Sequence, residues 1–402
     1  FILEYAPRID TTELTDQEYE HYDQICGEAY FARALAYSEL IKLFCEAYDS
    51  DEMAEKSLGV VLRKEYYSTE PLERASLKKS YALVIEDLEK AEDYLQLSPE
   101  EEKDASLTFY SSPYFSIYTV YALRARVALY MKDYENAIKY STLLIESGQF
   151  GLSSASAAYT TMPDYLTMTN KTVSYYEYMW RYNLATETIW EVGFTTTSHG
   201  GALGSIFFNW DFASYKPDYV PAQAALNLYT SNDARQGAYF ADLATGYSHQ
   251  LTWPLLIKYY GNRTMLSLYI YHVNMPKPLR LAEQYLIRAE AYCRKGNYSA
   301  ASADLTTLSQ SRYQAGGGLS VNAGNWLQTI SDERVRELYM EGFRLHDLKR
   351  WGMGFERTPQ AMTQSEGSSL KISADNPLFV WPIPNHEVSA PGSQIQPNES
   401  NR

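Results

Sequence analysis

The sequence is short of cysteine, of histidine and of net positive charge, and each shortage closes off a class of function. Among 402 residues there are 3 Cys and 6 His, and the formal net charge is −15. Cys26, Cys45 and Cys293 have no metal-type spacing. Cys26 and Cys293 lie in helical apolar patterns, so buried free thiols are expected. Phosphate binding needs a basic face, and no Lys/Arg run offsets the acidic balance, which argues against a nucleic-acid partner. An acidic surface fits a neutral ligand. No apolar run is long enough to span a bilayer. The opening FILEYAPRID lacks the positive start, long apolar centre and small-residue cleavage site of an export signal, so any such signal is expected to have been removed or to lie outside this sequence. Catalytic signatures are missing too: there is no H-E-x-x-H, no G-x-S-x-G and no phosphate loop ending in Gly-Lys-Ser/Thr. Acidic residues are abundant, so composition alone leaves room for a glycosidase carboxylate pair.

What is plentiful is tyrosine, with 37 residues against 14 Phe and 7 Trp. A Tyr ring offers a flat apolar face and a polar tip at low conformational-entropy cost. Most of these rings are expected to pack helices together. The surplus is suited to stacking on a polar ligand with flat apolar patches, as sugars have.

A helix pattern repeats. Tyr285, Arg288, Ala289 and Tyr292 share one stripe, followed by Gly296, Tyr298, Ala301, Leu305 and Leu308. Tyr121, Arg124, Ala125 and Ala128, then Tyr134, Ala137, Ser141 and Leu144, repeat it, and Tyr30, Arg33, Ala34 and Tyr37 give its first half again. The spacing matches tetratricopeptide helix pairs, in which small residues let helices approach closely. In the first copy the second helix arrives late, in LKKSYALVIEDLEKAEDYL, after a predicted long loop from about Ala47 to Leu72. Between Phe150 and Asn274 the helical period fades into Gly, Ser, Thr, Asn and aromatics, with strand-like pieces such as TIWEVGF. The expected fold is mainly α: about four tetratricopeptide-like helix pairs packed against a loop-rich insertion with short strands. As one body, residues 25–150 and 275–352 would form the scaffold, and 151–274 and 353–402 the irregular part.

From Glu333 to Gly352 the chain reads ERVRELYMEGFRLHDLKRWG. Val335, Leu338, Gly342, Leu345 and Leu348 form an apolar stripe, and the ions Glu341, Arg344, Asp347 and Arg350 are three apart. One continuous helix is predicted, its ions meeting other repeats, with Glu337 or Glu341 available to some of Arg33, Arg124 and Arg288. A catalytic role would need a cleft and a paired acid and base, and neither is placed here.

This stretch resembles the C-terminal signature of the SusD/RagB family, ER-x-x-EL-x-x-EG-x-R-x-x-DL-x-RW, filled here by Glu333, Arg334, Glu337, Leu338, Glu341, Gly342, Arg344, Asp347, Leu348, Arg350 and Trp351. GEAYFARALAYSELIKLF, PLRLAEQYLIRAEAYCRKGNY, ETIWEVGF, LYTSNDARQGAYF and FVWPIPNHEV resemble other family segments, in the expected order from about 25 to 390. The resemblance implies a non-catalytic, lipid-anchored surface protein that captures a glycan and delivers it to a SusC-like TonB-dependent transporter in the outer membrane. The sequence assigns no cofactor and no metal ligands. Cys26 lies inside the first helix pattern, a poor counterpart of the family's lipid-bearing cysteine, so anchoring rests on the resemblance alone. A tetratricopeptide-type scaffold for proteins or peptides is the alternative, although the insertion and the interrupted repeats would distort its groove.

Glycan sites combine aromatic faces with convergent polar groups. Asn209, Trp210, Asp211, Tyr215 and Tyr219 in FFNWDFASYKPDY fit that recipe, or else form a core around Trp210. Trp180, Arg181, Tyr182 and Asn183 in YYEYMWRYN come second, as a strand or short helix for which a purely structural reading is favoured. Third is the first-repeat loop, with Tyr48, Tyr66 and Tyr67, and WPLLIKYYGN follows as a weaker stretch.

Overall fold

In the computed structural model, residues 1–65, 73–98, 100–101, 104, 106–164, 166, 169–182, 184–210, 214–247, 251–363 and 370–401 are described. Helices α1 (Asp16–Phe44), α2 (Leu77–Tyr94), α3 (Ile117–Tyr130), α4 (Tyr134–Ile145), α5 (Tyr175–Tyr182), α6 (Leu281–Arg294), α7 (Tyr298–Gln310), α8 (Trp326–Glu337) and α9 (Arg344–Trp351) carry most of the architecture. Helix α1 starts at a capping box: Thr15 accepts from the Glu18 N–H, and Glu18 accepts from the Thr15 N–H at 2.9 Å. α1 packs on α2, α3 on α4 and α6 on α7, while α4 also lies along α6. The close approach that the repeat promised is visible at Gly27 of α1, where an added Cβ would sit 2.5 Å from the Leu95 side chain. Phe31, Ala34, Leu77, Val84, Leu88 and Leu123 form the first core, and Ala289, Ala301, Leu305 and Leu308 a second. The thiols of Cys26, Cys45 and Cys293 are free and buried, as expected.

The repeat arginines are satisfied locally. Arg33 grips Asp87 of α2 at 2.8 and 2.6 Å, and Arg288 grips Asp304 of α7 at 2.9 and 2.7 Å. Arg124 reaches back to Glu92 of α2. None of the three meets Glu337 or Glu341, which corrects the pairing expected from the sequence. The stretch ERVRELYMEGFRLHDLKRWG is also not one helix. α8 stops at Glu337 and α9 starts at Arg344, with Met340 (φ 60°) and Gly342 (φ 88°) in the left-handed region between them. Its burial is mixed: Leu338 and Leu348 of the apolar stripe are buried, but so are Glu333, Arg334, Glu337 and Asp347, whereas Gly342 is exposed and Val335 half-buried.

Strands are short and pair in twos, antiparallel: β1 (Leu58–Val61) with β2 (Arg74–Ser76), β3 (Ala158–Asp164) with β4 (Thr169–Ser174), β5 (Thr188–Trp190) with β8 (Leu279–Arg280), β6 (Phe240–Ala244) with β7 (Thr252–Leu256), and β9 (Phe355–Glu356) with β10 (Lys371–Ile372). The predicted first-repeat loop therefore contains β1, preceded by a helical turn at Asp51–Lys56. β5 pairs with the strand leading into α6, at Thr188↔Arg280, and so ties the insertion to the scaffold. The insertion has its own core of Tyr176, Met179, Trp180, Phe208, Tyr239, Trp253, Leu255 and Tyr259. No helix among the described residues is long and apolar enough to cross a membrane.

Candidate ligand-binding face

The segment Ser174-Tyr-Tyr-Glu177 opens α5 with a reciprocal cap. Ser174 Oγ accepts the Glu177 N–H, and Glu177 accepts the Ser174 N–H, both at 3.1 Å. The helical period then splits the aromatics between two faces. Tyr176, Met179 and Trp180 point into the insertion core, and Tyr175, Tyr178 and Tyr182 follow one another along the outer face. Tyr159 of β3 joins the outer rings, with centroids 4.5 Å from both Tyr175 and Tyr178, and Tyr178 stacks on Tyr182 at 4.7 Å and 16°. Tyr159 and Tyr175 are 44% and 46% exposed. The result is a four-ring ladder open to solvent on one side.

The inner face of α5 is held by charge. Tyr176 Oη donates to Glu337 at 3.2 Å and meets Tyr239 Oη in a short hydrogen bond. Glu337 is wholly buried and accepts from Arg235 and Arg280 at 3.0 Å and from Arg312 at 2.8 and 3.1 Å. Glu187 accepts from Arg280 and Arg312, Glu333 and Asp233 from Arg235, and Glu341 from Arg280 and Lys258. Burial pushes the Glu337 carboxyl up, but Arg312, Arg280 and Arg235 outweigh it and hold it far below the usual carboxylate range. The network thus joins the insertion to α8 beneath the ladder. Arg235 and Arg312, central to it, lie outside the repeat stripes and were not singled out from the sequence.

A second aromatic group comes from the 205–219 region. The chain turns at Asn209 in the left-handed conformation (φ 40°), a position Asn tolerates, and Trp210 then bridges antiparallel to Tyr215. The two rings lie 6.5 Å apart, Trp210 is 5.1 Å from Tyr271, and Tyr215 Oη is 3.3 Å from Tyr260 Oη. Asn209 is exposed, Trp210 and Tyr215 are half-buried, and Tyr219 is 64% exposed.

The two groups meet at the turn after β7. There a void of about 10 Å³ is lined by Trp180, Arg181, Lys258, Tyr260, Gly261 and Arg263, among others. Gly261 adopts φ +139°, and an added Cβ would press on Leu266 and on the His272 backbone. The Arg263 guanidinium lies 6.0 Å from the centre of the Tyr182 ring, and Tyr260 leads on to Tyr215. Arg181 and Tyr182 are therefore brought toward Trp210 and Tyr215, along a path through residues of the fourth, weakest stretch. Burial pulls Lys258 down to about 8 against the opposing pull of Glu341.

The other sequence-predicted positions separate by burial. Trp180 is only 4% exposed; Lys258 Nζ lies 4.1 Å from its centre, and Tyr239 and Tyr259 meet it edge-on. Its place is under the face, where it supports the ladder instead of presenting a ring. Tyr48 is buried as well, edge-on to Tyr81, with its hydroxyl donating to Asp51. Tyr66, Tyr67, Asn183 and Asp211 lie outside the described residues. Tyr159, which completes the ladder, was missed; it comes from a separate hairpin and no local pattern announces it.

Comparison with known proteins bears on the fold and the family. The profile described as the SusD family matches residues 165–399, more than half of the chain, and one described as starch-binding and associating with the outer membrane matches residues 3–129. A SusD superfamily protein from Bacteroides thetaiotaomicron superposes with a TM-score of 0.76 at 23% identity, covering 99% of this chain and 82% of its own. A SusD-like carbohydrate binding protein from Bacteroides vulgatus gives 0.68 at 19%, covering 96% and 79%. Surface glycan-binding protein A from Bacteroides uniformis gives 0.67 at 18%, covering 98% and 81%. No curated relative matches the chain. The helix-pair fold, the ionic signature and the profile over residues 165–399 agree: this chain belongs to the SusD family.

Proposed function

We propose that the protein is a non-catalytic surface receptor that captures an oligo- or polysaccharide and hands it to a SusC-like TonB-dependent transporter in the outer membrane, held there by a lipid anchor. The observation that carries the glycan reading is the tyrosine ladder with its continuation. Tyr159 and Tyr175 are exposed, with the half-buried Tyr178 and Tyr182 beside them, and together they offer aromatic surface for pyranose C–H groups, while Arg181, Asn209, Trp210, Tyr215 and Tyr219 would supply hydroxyl partners and further rings. Asp211, Tyr66 and Tyr67 remain part of the proposal on the sequence reading alone. The names of the neighbours, a carbohydrate binding protein and a surface glycan-binding protein, support the ligand class. The name of the matching N-terminal profile supports the outer-membrane setting.

Affinity electrophoresis and calorimetry against a panel of soluble polysaccharides test this. Retardation by at least one glycan, with no sugar released on prolonged incubation, is the expected result. No binding to any of them would sink the glycan reading, and released sugar would sink the non-catalytic one.

A further inference from the structure

We infer that Lys171 and Glu177 are positioning residues: their ion pair fastens the β3–β4 hairpin to α5 and so fixes where Tyr159 stands in the ladder. This rests on the glycan-binding reading and adds to it the element that controls affinity. Tyr175, Tyr178 and Tyr182 share one helix, so the backbone of α5 sets their spacing. Tyr159 belongs to another element and needs its own means of placement. β3 and β4 form a two-stranded sheet by themselves, and such a pair is marginal in water unless something holds it. The backbone supplies part of the placement. Ala158 faces Ser174 and Thr160 faces Val173, so two steps along β3 pass against one along β4, and Tyr159 is the extra residue of a β-bulge. A bulge re-aims a side chain, and this one brings the ring to 4.5 Å from both Tyr175 and Tyr178.

Charge supplies the rest. Lys171 stands on β4 opposite Met162 of β3, and its Nζ donates to Glu177 Oε1 of α5 at 2.6 Å. The other oxygen of Glu177 accepts the Ser174 N–H where the helix begins. One carboxylate therefore holds the strand, the turn and the helix together. Toward the hairpin turn, Asp164 of β3 faces Arg181 of α5 at 3.8 Å, so opposite charges meet across the contact there as well. Met162 and Val173 are buried, so the hairpin keeps an apolar footing without the clasp, and what the clasp governs is alignment. The Lys171 side chain is 38% exposed and that of Glu177 13%. A pair so placed adds little to global stability and acts on local docking. Apparent affinity falls with the fraction of molecules whose ring is in place, so a loosened hairpin weakens binding while the fold holds.

Calorimetry on the full chain tests this with four uncharged probes: soluble starch, laminarin, xyloglucan and galactomannan. For a probe that binds, Lys171→Met should raise Kd about twofold to fivefold, the range of a partly exposed ion pair, and Lys171→Arg should restore it. The probes carry no charge, so salt acts on the protein alone. Rising salt should weaken binding in the wild type and leave Lys171→Met unmoved, a signature that a merely structural lysine would not give. Hydrogen exchange should quicken in β3 and β4 of Lys171→Met, with the thermal midpoint unchanged. An equal Kd in Lys171→Met, a loss that Lys171→Arg does not restore, or salt-independent binding in the wild type overturns the inference and leaves glycan capture standing. A lowered thermal midpoint in Lys171→Met also overturns it, since the pair would then serve the fold. If no polysaccharide binds, both readings fall.

Discussion

Helices α8 and α5 lie against each other through Glu337 and Tyr176, yet they use their side chains in opposite ways. α8 turns Glu333 and Glu337 inward onto buried guanidiniums and Arg334 inward onto the Asp347 carboxylate. α5 turns Tyr175, Tyr178 and Tyr182 outward, where rings are costly to leave bare. The difference teaches what each element is for. Buried ions demand fixed geometry and punish its loss, so they suit a foundation. Rings gathered outside the core carry no such demand, which is why the proposed binding face is placed on them.

Removing a carboxylate from the foundation should have the largest effect. Glu337→Ala would leave Arg235, Arg280 and Arg312 short of their shared acceptor, and a loss of about 3–5 kcal/mol in unfolding free energy is expected by urea titration. A loss under 1 kcal/mol would show that the network is replaceable.

Acid should also act on the scaffold. His346 is buried beside Lys42 and Lys349, and its pKa falls to about 4, first through burial and then through those cations. A group whose folded pKa lies below its unfolded value stabilises the protein above the unfolded value and loses that contribution as pH falls. Stability should therefore drop between about pH 6.5 and pH 4, by roughly 2–3 kcal/mol. Unfolding midpoints across that window should flatten in His346→Asn; an equally steep fall in the variant would assign the drop to other groups.

The smallest effect sharpens the contrast from the other side. Lys371 and Glu356 pair at 3.1 Å, but both are largely exposed, so screening and side-chain entropy cancel the gain. Replacing both by Ala should leave the thermal midpoint within error, and a clear shift would show that exposed pairs matter here as well.

The helix pairs were legible because their small and aromatic positions recur at a fixed spacing, as at Tyr121, Arg124 and Ala125 against Tyr285, Arg288 and Ala289. The outer stripe of α5 was read only in part: Tyr182 was singled out in a strand or short helix, whereas Tyr175 and Tyr178, which share its face, were not. The break after Glu337 was not: both halves of that stretch keep a helical pattern, and only Gly342 hinted at a stop. The ion partners were misassigned because Glu337 bonds to Arg235, a residue 102 positions away in sequence, a separation that no local spacing encodes. Trp180 was a candidate ring for which a structural place was favoured, and its period with Tyr176 and Met179 turns it inward.

The most direct measurement compares glycan affinity in the wild type and in the Tyr159→Ala/Tyr175→Ala double variant, each checked for an unchanged unfolding midpoint. These rings are about half exposed and contribute little to the core. If the ladder is the platform, Kd should rise at least tenfold, or about 1.4 kcal/mol, while stability holds. An unchanged Kd for the same glycan would contradict it and move the binding face elsewhere.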